Sequence, residues 1–383
     1  MKQIYLDHAA TTPMHPKVLQ VMMEAYRDTF GNPSSIHSFG RKARKVLDKA
    51  RQVLAKSIGA AEQEIIFTSG GTEADNYAIL SIAKNYKDKG QHLITTEIEH
   101  HAVLHTFQEL EKRGYEVTYL PVNEEGAVQL ADVKAALRDD TILVSIMYGN
   151  NEVGTIQPIQ EIGQLLASHQ AKFHTDAVQA FSSEAIDVKQ GNIDLLSVTA
   201  HKINGPKGIG FLYAKKDIKL SPLLFGGEQE RKRRPGTENV GAIAGFMEAV
   251  KIVEEERDLF REKYKNLKKV LLDTLSDEKI TYYLNGSLNN SLPHVVNISF
   301  PGANVEAILV NLDLAGIAVS SGSACTAGSV DPSHVLAAMY GKESERVRNS
   351  IRFSFGITNT AEEIVQAGKE TAKIIRRLVK KER

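Results

Sequence analysis

A lysine does covalent chemistry only where its amine gives up a proton near neutral pH, and Thr199-Ala200-His201-Lys202 offers such a place. It follows the apolar run LLSV at 195–198 and precedes the turn Asn204-Gly205-Pro206 and a further strand pattern, GIGFLY. At a strand end, beside a histidine and hydroxyls, the Lys202 amine could be desolvated and attack a carbonyl carbon, as in Schiff-base formation. The bland alternative is a solvated surface lysine. A second segment, Thr68-Ser69-Gly70-Gly71-Thr72-Glu73, sits between a strand pattern and a helix pattern. A helix start presents free N–H groups and the positive end of the dipole, and glycines let an anion approach the backbone, so the segment suits a phosphate. It also reads as a tight turn capped by Thr72. No Lys-Ser or Lys-Thr follows, so it is not a Walker A loop. Asp176, in His174-Thr175-Asp176-Ala177-Val178-Gln179, closes another strand pattern. Open α/β sheets bind ligands at such ends, and Asp176 could hold a cationic ring nitrogen there, or serve only as a turn residue.

Cys325 is the only cysteine and lies within Ser320-Ser321-Gly322-Ser323-Ala324-Cys325-Thr326-Ala327-Gly328-Ser329. A lone cysteine is usually a small buried hydrophobe, but these neighbours supply no bulk to bury the thiol and suit a loop that presents it. Arg352, in the apolar pattern SIRFSF at 350–355, could clamp a carboxylate bidentately or form a structural ion pair. His101 and His105 stand four residues apart, and with His100 they raise the possibility of a metal. His100 alone falls on the face of Val103, Leu104 and Phe107, which turns it toward the sheet, and without an HExxH pattern no intrinsic metal is expected. The run Arg231-Lys232-Arg233-Arg234-Pro235-Gly236-Thr237 reads as a solvated basic loop or a weak RNA patch.

The elements that would position these residues alternate in the manner of an α/β protein with a parallel sheet. Strand patterns occur in EIIF (64–67), HLIT (92–95), EVTYL (116–120), ILVSIM (142–147), KFHT (172–175) and LLSV (195–198). Helical spacing follows Thr72 through Ala78, Ile79, Ile82 and Ala83, and recurs over about 99–113 through Val103, Leu104, Phe107 and Leu110. Residues 238–277 read as one long helical connector, and the domain boundary is placed within it. The expected division is a large domain over 16–258 and a small α+β domain joining 1–15 to 259–383. The latter holds VVNISF (295–300), a helical ANVEAILVNLDL, the loop around Cys325, SIRFSF and a final charged helix. No repeats or low-complexity tracts appear.

The chain has 383 residues, more than one core usually organises, with 42% hydrophobic and 25% charged residues, which excludes a stapled mini-protein and wholesale disorder. Lys+Arg and Asp+Glu are 47 each, so no global field would hold it on nucleic acid or an anionic membrane. No leader pattern opens the chain, no run approaches the roughly 20 apolar residues of a membrane span, and one cysteine fits a reducing compartment. The expectation is a cytoplasmic protein.

Phosphate loop, strand-end aspartate, strand-end lysine and late arginine form the set a pyridoxal phosphate enzyme needs. The chain resembles the cysteine desulfurases, the NifS/IscS-like group with a long catalytic-cysteine loop. The likeness runs through YLDHAATTP, GNPSS, FTSGGTEADN, TEIEHHAV, YGNNEVG, HTDAVQ, TAHKINGPKGIG, RPGTENV, SSGSACT and SIRFSFG, nearly the whole chain. The resemblance implies the aspartate-aminotransferase-like fold (fold type I), a homodimer, and pyridoxal 5'-phosphate as cofactor. It implies that Lys202 is the Schiff-base lysine, that Gly71, Thr72, Thr199 and His201 form the phosphate cup, and that Thr237 joins the partner subunit's cup. Asp176 would pair with the pyridine nitrogen, Gln179 and Asn151 would lie near the ring hydroxyl and the substrate, and His100 would stack on the ring. Arg352 would clamp the carboxylate of L-cysteine and Cys325 would carry the persulfide, touching a metal cluster only in passing. An iron–sulfur scaffold or a tRNA-thiolating enzyme would accept the sulfur. Rival readings are a selenocysteine lyase or aminotransferase on the same fold, a metal-dependent hydrolase using His100, His101 and His105, and an RNA-binding module using 231–234.

Overall fold

The computed structural model describes residues 3–322, 325–326, 329–330 and 332–381, by backbone alone at 325–326, 329–330 and 380–381. Its centre is a seven-stranded sheet in the order β2 (Ile65–Thr68), β8 (Gly210–Ala214), β7 (Leu195–Thr199), β6 (Lys172–Asp176), β5 (Thr141–Ser145), β3 (His92–Thr96) and β4 (Glu116–Leu120). A short strand, β1 (Ile4–Tyr5), precedes these in the chain. All but the edge strand β4 are buried along nearly their whole length, as a sheet covered on both faces requires. Successive residues serve opposite faces: Phe67, Ile94, Val144, Leu196 and Phe211 enter one core, while Ile66, Leu93, Leu143, Leu195 and Leu212 enter the other.

The sheet is mixed and mostly parallel. β8 runs antiparallel to both β7 and β2, because residues 200–209 are too few for a crossover helix. The second core is roofed by α3 (Gly71–Asn85) and α4 (His101–Lys112). On the opposite face lie α1 (Pro16–Asp28), α2 (Ser38–Ser57) and the N-terminal part of α8 (Val240–Asp277). Short helices α5 (Leu130–Ala136), α6 (Ile159–Leu166) and α7 (Gln229–Lys232) fill the connections.

The long connector is a single 38-residue helix, α8, about 57 Å long at 1.5 Å per residue. Its first turns meet α1, where Gly241 and Gly245 leave room for Tyr26 and Met22; its last turns meet α12 (Ala361–Lys381), where Gly368 faces Leu271 and Thr274. Around that end, β14 (Ser350–Ser354), β10 (Val295–Ser299) and β9 (Tyr283–Asn285) form an antiparallel sheet. β1 pairs in parallel with β11 (Ile317–Ala318), so the N-terminal arm joins the C-terminal elements. α9 (Val305–Leu314) precedes β11, and the backbone around Cys325 forms a small hairpin of β12 (Cys325–Thr326) and β13 (Ser329–Val330). Then come α10 (His334–Tyr340) and α11 (Arg346–Asn349). Among the described residues no helix is long and apolar enough to cross a membrane.

Candidate active site

Four neighbouring strands of the main sheet, β7, β6, β5 and β3, end on the same side. Beyond β7 a 3-10 turn carries Lys202; β6 ends in Asp176; the chain after β5 brings Asn151, and that after β3 brings His100. Their side chains line one cavity of about 610 Å³ with Gly71, Thr72, Gln179, Thr199, His201 and Arg352. The ligand position at strand ends that the sequence suggested is thus one place in space.

Lys202 donates from Nζ to the carbonyls of Ala9 and Ala10, the latter at 2.9 Å. Burial lowers its pKa to about 8, and Arg352 adds to this against the opposing pull of Asp176 and Asp7. Asp176 accepts the Val178 N–H at Oδ1 (2.8 Å), and burial raises its pKa to about 6. α3 starts after Gly70 with no side-chain cap, so the turn capped by Thr72 is not what forms; Thr72 is the second residue of the helix. The first-turn N–H groups of a helix this long are an anion site where no side chain occupies them. A Cβ on Gly71 would stand 2.8 Å from Val178, which explains the glycine.

Arg352 unites the two readings given to it. Its Nη2 is 2.8 Å from Asp7 Oδ1 and its Nη1 donates to the Asn151 carbonyl at 2.9 Å, while the buried Nε has no partner among the described residues. Gln179 donates to the Ala9 carbonyl (2.9 Å) and meets His294 Nε2 at 3.4 Å. His201 Nδ1 lies 3.2 Å from Thr11 Oγ1, and burial followed by Lys202 lowers its pKa to about 4.

His100 is placed differently from expectation: it is the N-cap of α4, its Nδ1 accepting the Ala102 N–H at 3.1 Å, rather than a residue on the helix face. The ring still reaches the cavity, where surrounding protein and then the Lys202 charge hold its pKa below the ordinary value. His101 and His105 stack on each other at 5.0 Å, with the His100 ring 6.3 Å from that of His101, and among the described residues no group of three His, Cys, Asp or Glu is arranged to hold a metal. Thr237 lies outside this cavity, in a separate cleft with Ser69 and Arg234. The Cys325 side chain lies outside the described residues, though both flanks of its loop, at Ser320–Gly322 and His334, line the cavity.

Sequence reasoning did not single out Asp7, Asp75 and Glu152, which also line the cavity. Each sat within a quoted motif, YLDHAATTP, TEADN or YGNNEVG, but nothing in local spacing separates such a carboxylate from a surface one. Glu99, fully buried, accepts from Thr96 and from the Met147 N–H, and burial raises its pKa to about 8. Asp75 is likewise buried, with its pKa raised by burial and by Asp176.

A sheet with ligand groups at its strand ends, a helix N-terminus for an anion and a perturbed lysine define the class: the chain belongs to the aminotransferase class-V family, whose family model matches residues 4–366. It is 64% identical over 378 residues, 99% of this chain and 100% of the relative, to "Putative cysteine desulfurase IscS 1" of Bacillus subtilis (strain 168). It is 48% identical to "Cysteine desulfurase IscS" of Clostridium botulinum (strain Hall), across 98% of this chain and 95% of the relative. Among solved structures, a "NIFS-LIKE PROTEIN" superposes with a TM-score of 0.92 at 35% identity, covering 98% of this chain and 100% of the other. Another, "SspA in complex with cysteine", gives 0.81 at 36% identity over 92% and 99%. Enzymes of this kind carry pyridoxal phosphate, and the residues here fit it: an uncapped helix start for the phosphate, a buried carboxyl for the ring nitrogen and a lysine with depressed pKa for the aldehyde.

Proposed function

We propose that this protein is a cysteine desulfurase that takes L-cysteine to L-alanine and keeps the sulfur as a persulfide on Cys325. The observation that carries this reading is the convergence of Lys202, Asp176, His100 and Arg352 on one cavity, flanked by both stems of the cysteine loop. Gly71, Thr72, Thr199 and His201 would hold the cofactor phosphate, Asp176 the ring nitrogen and Lys202 the aldehyde carbon. Bound there, pyridoxal phosphate supplies an electron sink for the carbanion beside the substrate amine.

The remaining work belongs to this chain. Arg352, with Nε still to satisfy and Asn151 fixing its fork, binds the substrate carboxylate. Lys202, its pKa near 8, takes the α-proton and returns it. His100, neutral near pH 7, accepts the proton of the substrate thiol. The Cys325 thiolate attacks the substrate sulfur, the carbon–sulfur bond breaks, and the three-carbon remainder gains a proton and leaves as alanine. Cysteine plus enzyme thiol thus gives alanine plus enzyme persulfide, with no outside oxidant.

The proposal extends to a cytoplasmic homodimer in which Thr237 completes the neighbour's phosphate site. Met23, Phe30, Ile36, Phe39 and Phe225, all more than half exposed, give it apolar surface to bury. It includes the division at 258/259 within α8, and an iron–sulfur scaffold or tRNA-thiolating enzyme as acceptor. The test is to supply the purified protein with pyridoxal phosphate, L-cysteine and a reducing thiol. Alanine and sulfide should appear in equal amounts; a transamination product, or activity on selenocysteine only, would replace the reading by one of its rivals.

A further inference from the structure

The buried carboxylate of Glu152 has no role in the chemistry described, yet one of its oxygens meets both ends of the cysteine loop. On the far side of the loop, Ser333 Oγ donates to Glu152 Oε2 at 2.5 Å, and the same hydroxyl caps α10 by accepting the Leu336 N–H at 3.1 Å. On the near side, Gly322 has φ +93°, and a Cβ built there would stand 2.7 Å from that same Oε2 and 3.0 Å from the carboxyl carbon. The backbone therefore passes too close to the oxygen for a side chain, and the glycine is required twice, by its φ and by this approach.

Glu152 is itself held firmly. Asn150 Oδ1 accepts the N–H groups of Glu152 and Val153 at 2.8 and 3.0 Å, and its amide donates to the Ile98 carbonyl at 3.0 Å. Asn297 of β10 donates to the Glu152 carbonyl at 3.3 Å. The turn is thus tied to the chain that follows β3 and to the C-terminal sheet together. Each stem has a second attachment: Ser320 bridges Arg352 through the backbone, and His334 Nε2 meets the Glu99 carbonyl at 2.9 Å. Burial works against the ionised form of Glu152, while His334, the Ser333 hydroxyl and Arg352 favour it.

We propose that Glu152 is a positioning residue that clasps the two stems of the cysteine loop at one carboxylate oxygen, fixing where the loop starts and ends relative to the cavity. The inference rests on Cys325 as the sulfur carrier. Fixed stems bound the distance between the thiol and the cavity, which raises its effective concentration at the substrate sulfur.

The test is amide exchange of the stems in the holoenzyme, alongside steady-state kinetics. In Glu152→Ala, the amides of 320–322 and 333–336 should exchange roughly tenfold faster, because a buried hydrogen bond is lost at one stem and packing at the other. The kcat should fall by about tenfold while KM for L-cysteine moves less than about twofold, since encounter of thiol and substrate is what suffers. Glu152→Gln keeps an acceptor and should restore both values to near wild type; Ser333→Ala should loosen only the second stem, whereas Gly322→Ala, by crowding the shared Oε2, should loosen both. Unchanged exchange at either stem in Glu152→Ala, or a KM that rises as kcat falls, would overturn the clasp. Should that variant not fold, the Ser333 and Gly322 variants carry the same comparison. Loss of the desulfurase reading would show separately, as wild-type protein that makes no alanine, whatever the exchange pattern.

Discussion

At the scale of single residues, the account turns on an amine and a guanidinium whose environments are set by the fold. Lys202 is brought near pH 8 by burial and held by the Ala9 and Ala10 carbonyls. Wild-type protein should therefore take up pyridoxal phosphate with a visible absorption band. Lys202→Ala should lack that band and lose at least about a thousandfold in turnover, because proton transfer at the α-carbon loses its base. A variant that keeps the band would remove Lys202 from the site. Arg352→Ala should raise KM for L-cysteine by about 10- to 100-fold, the worth of a charge-assisted bidentate contact, with a smaller change in kcat. Steady-state kinetics separates the two. Lys202, Asp176 and Arg352 were legible because each interrupts an apolar pattern or ends it. Asp7 and Glu152 were not, since their burial depends on contacts with residues far along the chain, such as Arg352 and Ser333.

At the scale of elements, most of the main sheet was readable, because strands buried on both faces leave continuous apolar runs of four to six residues. Their ends were less so. ILVSIM stops as a strand at Ser145: the Ile146 N–H still bonds the His174 carbonyl of β6 at 3.1 Å, but the Met147 N–H turns to the Glu99 carboxyl. His100 was read as a helix-face residue because the helical pattern, taken from about residue 99, starts ahead of the first helical residue, His101, whereas an N-cap has extended geometry (φ −62°, ψ 148°). The start of α3 shows what such a boundary does. Gly71→Ala would push a methyl to 2.8 Å from Val178 Cγ2 at the point where the phosphate should approach. Affinity for pyridoxal phosphate should fall by about tenfold or more, the order of one charge-assisted hydrogen bond. Cofactor titration followed by absorbance reads this directly, and unchanged affinity would place the phosphate elsewhere.

For the whole molecule, stability should depend on pH with two opposed slopes. His8, His174 and His294 are buried with pKa values lowered by burial to about 4, 3 and 3. Their contribution is complete above the unfolded value near 6.5 and is lost as pH falls through 6.5 toward 4, because the unfolded chain binds protons that the folded one refuses. Glu99, raised to about 8, has the opposite sign: its contribution is complete below the unfolded value and is lost as pH rises through 8. The melting temperature should drop by at least about 4 °C between pH 6.5 and 4.5. Glu99→Gln should flatten the decline between about pH 6.5 and 8, and a profile that rises toward acid would refute the neutral histidines. The dimer has its own test, a heterodimer of one Lys202→Ala chain and one Thr237→Ala chain. If Thr237 reaches across, both defects fall in one site and about half the wild-type activity survives; two damaged sites would confine Thr237 to its own subunit.

The desulfurase reading depends on Cys325 as the group that takes the sulfur, and one measurement bears on that most directly. Cys325→Ala, loaded with pyridoxal phosphate, is mixed with L-cysteine while absorbance and alanine are followed together. The variant should still bind L-cysteine and change its spectrum, since Lys202, Arg352 and the cofactor remain, yet form almost no alanine. Alanine produced at the wild-type rate would contradict the persulfide mechanism.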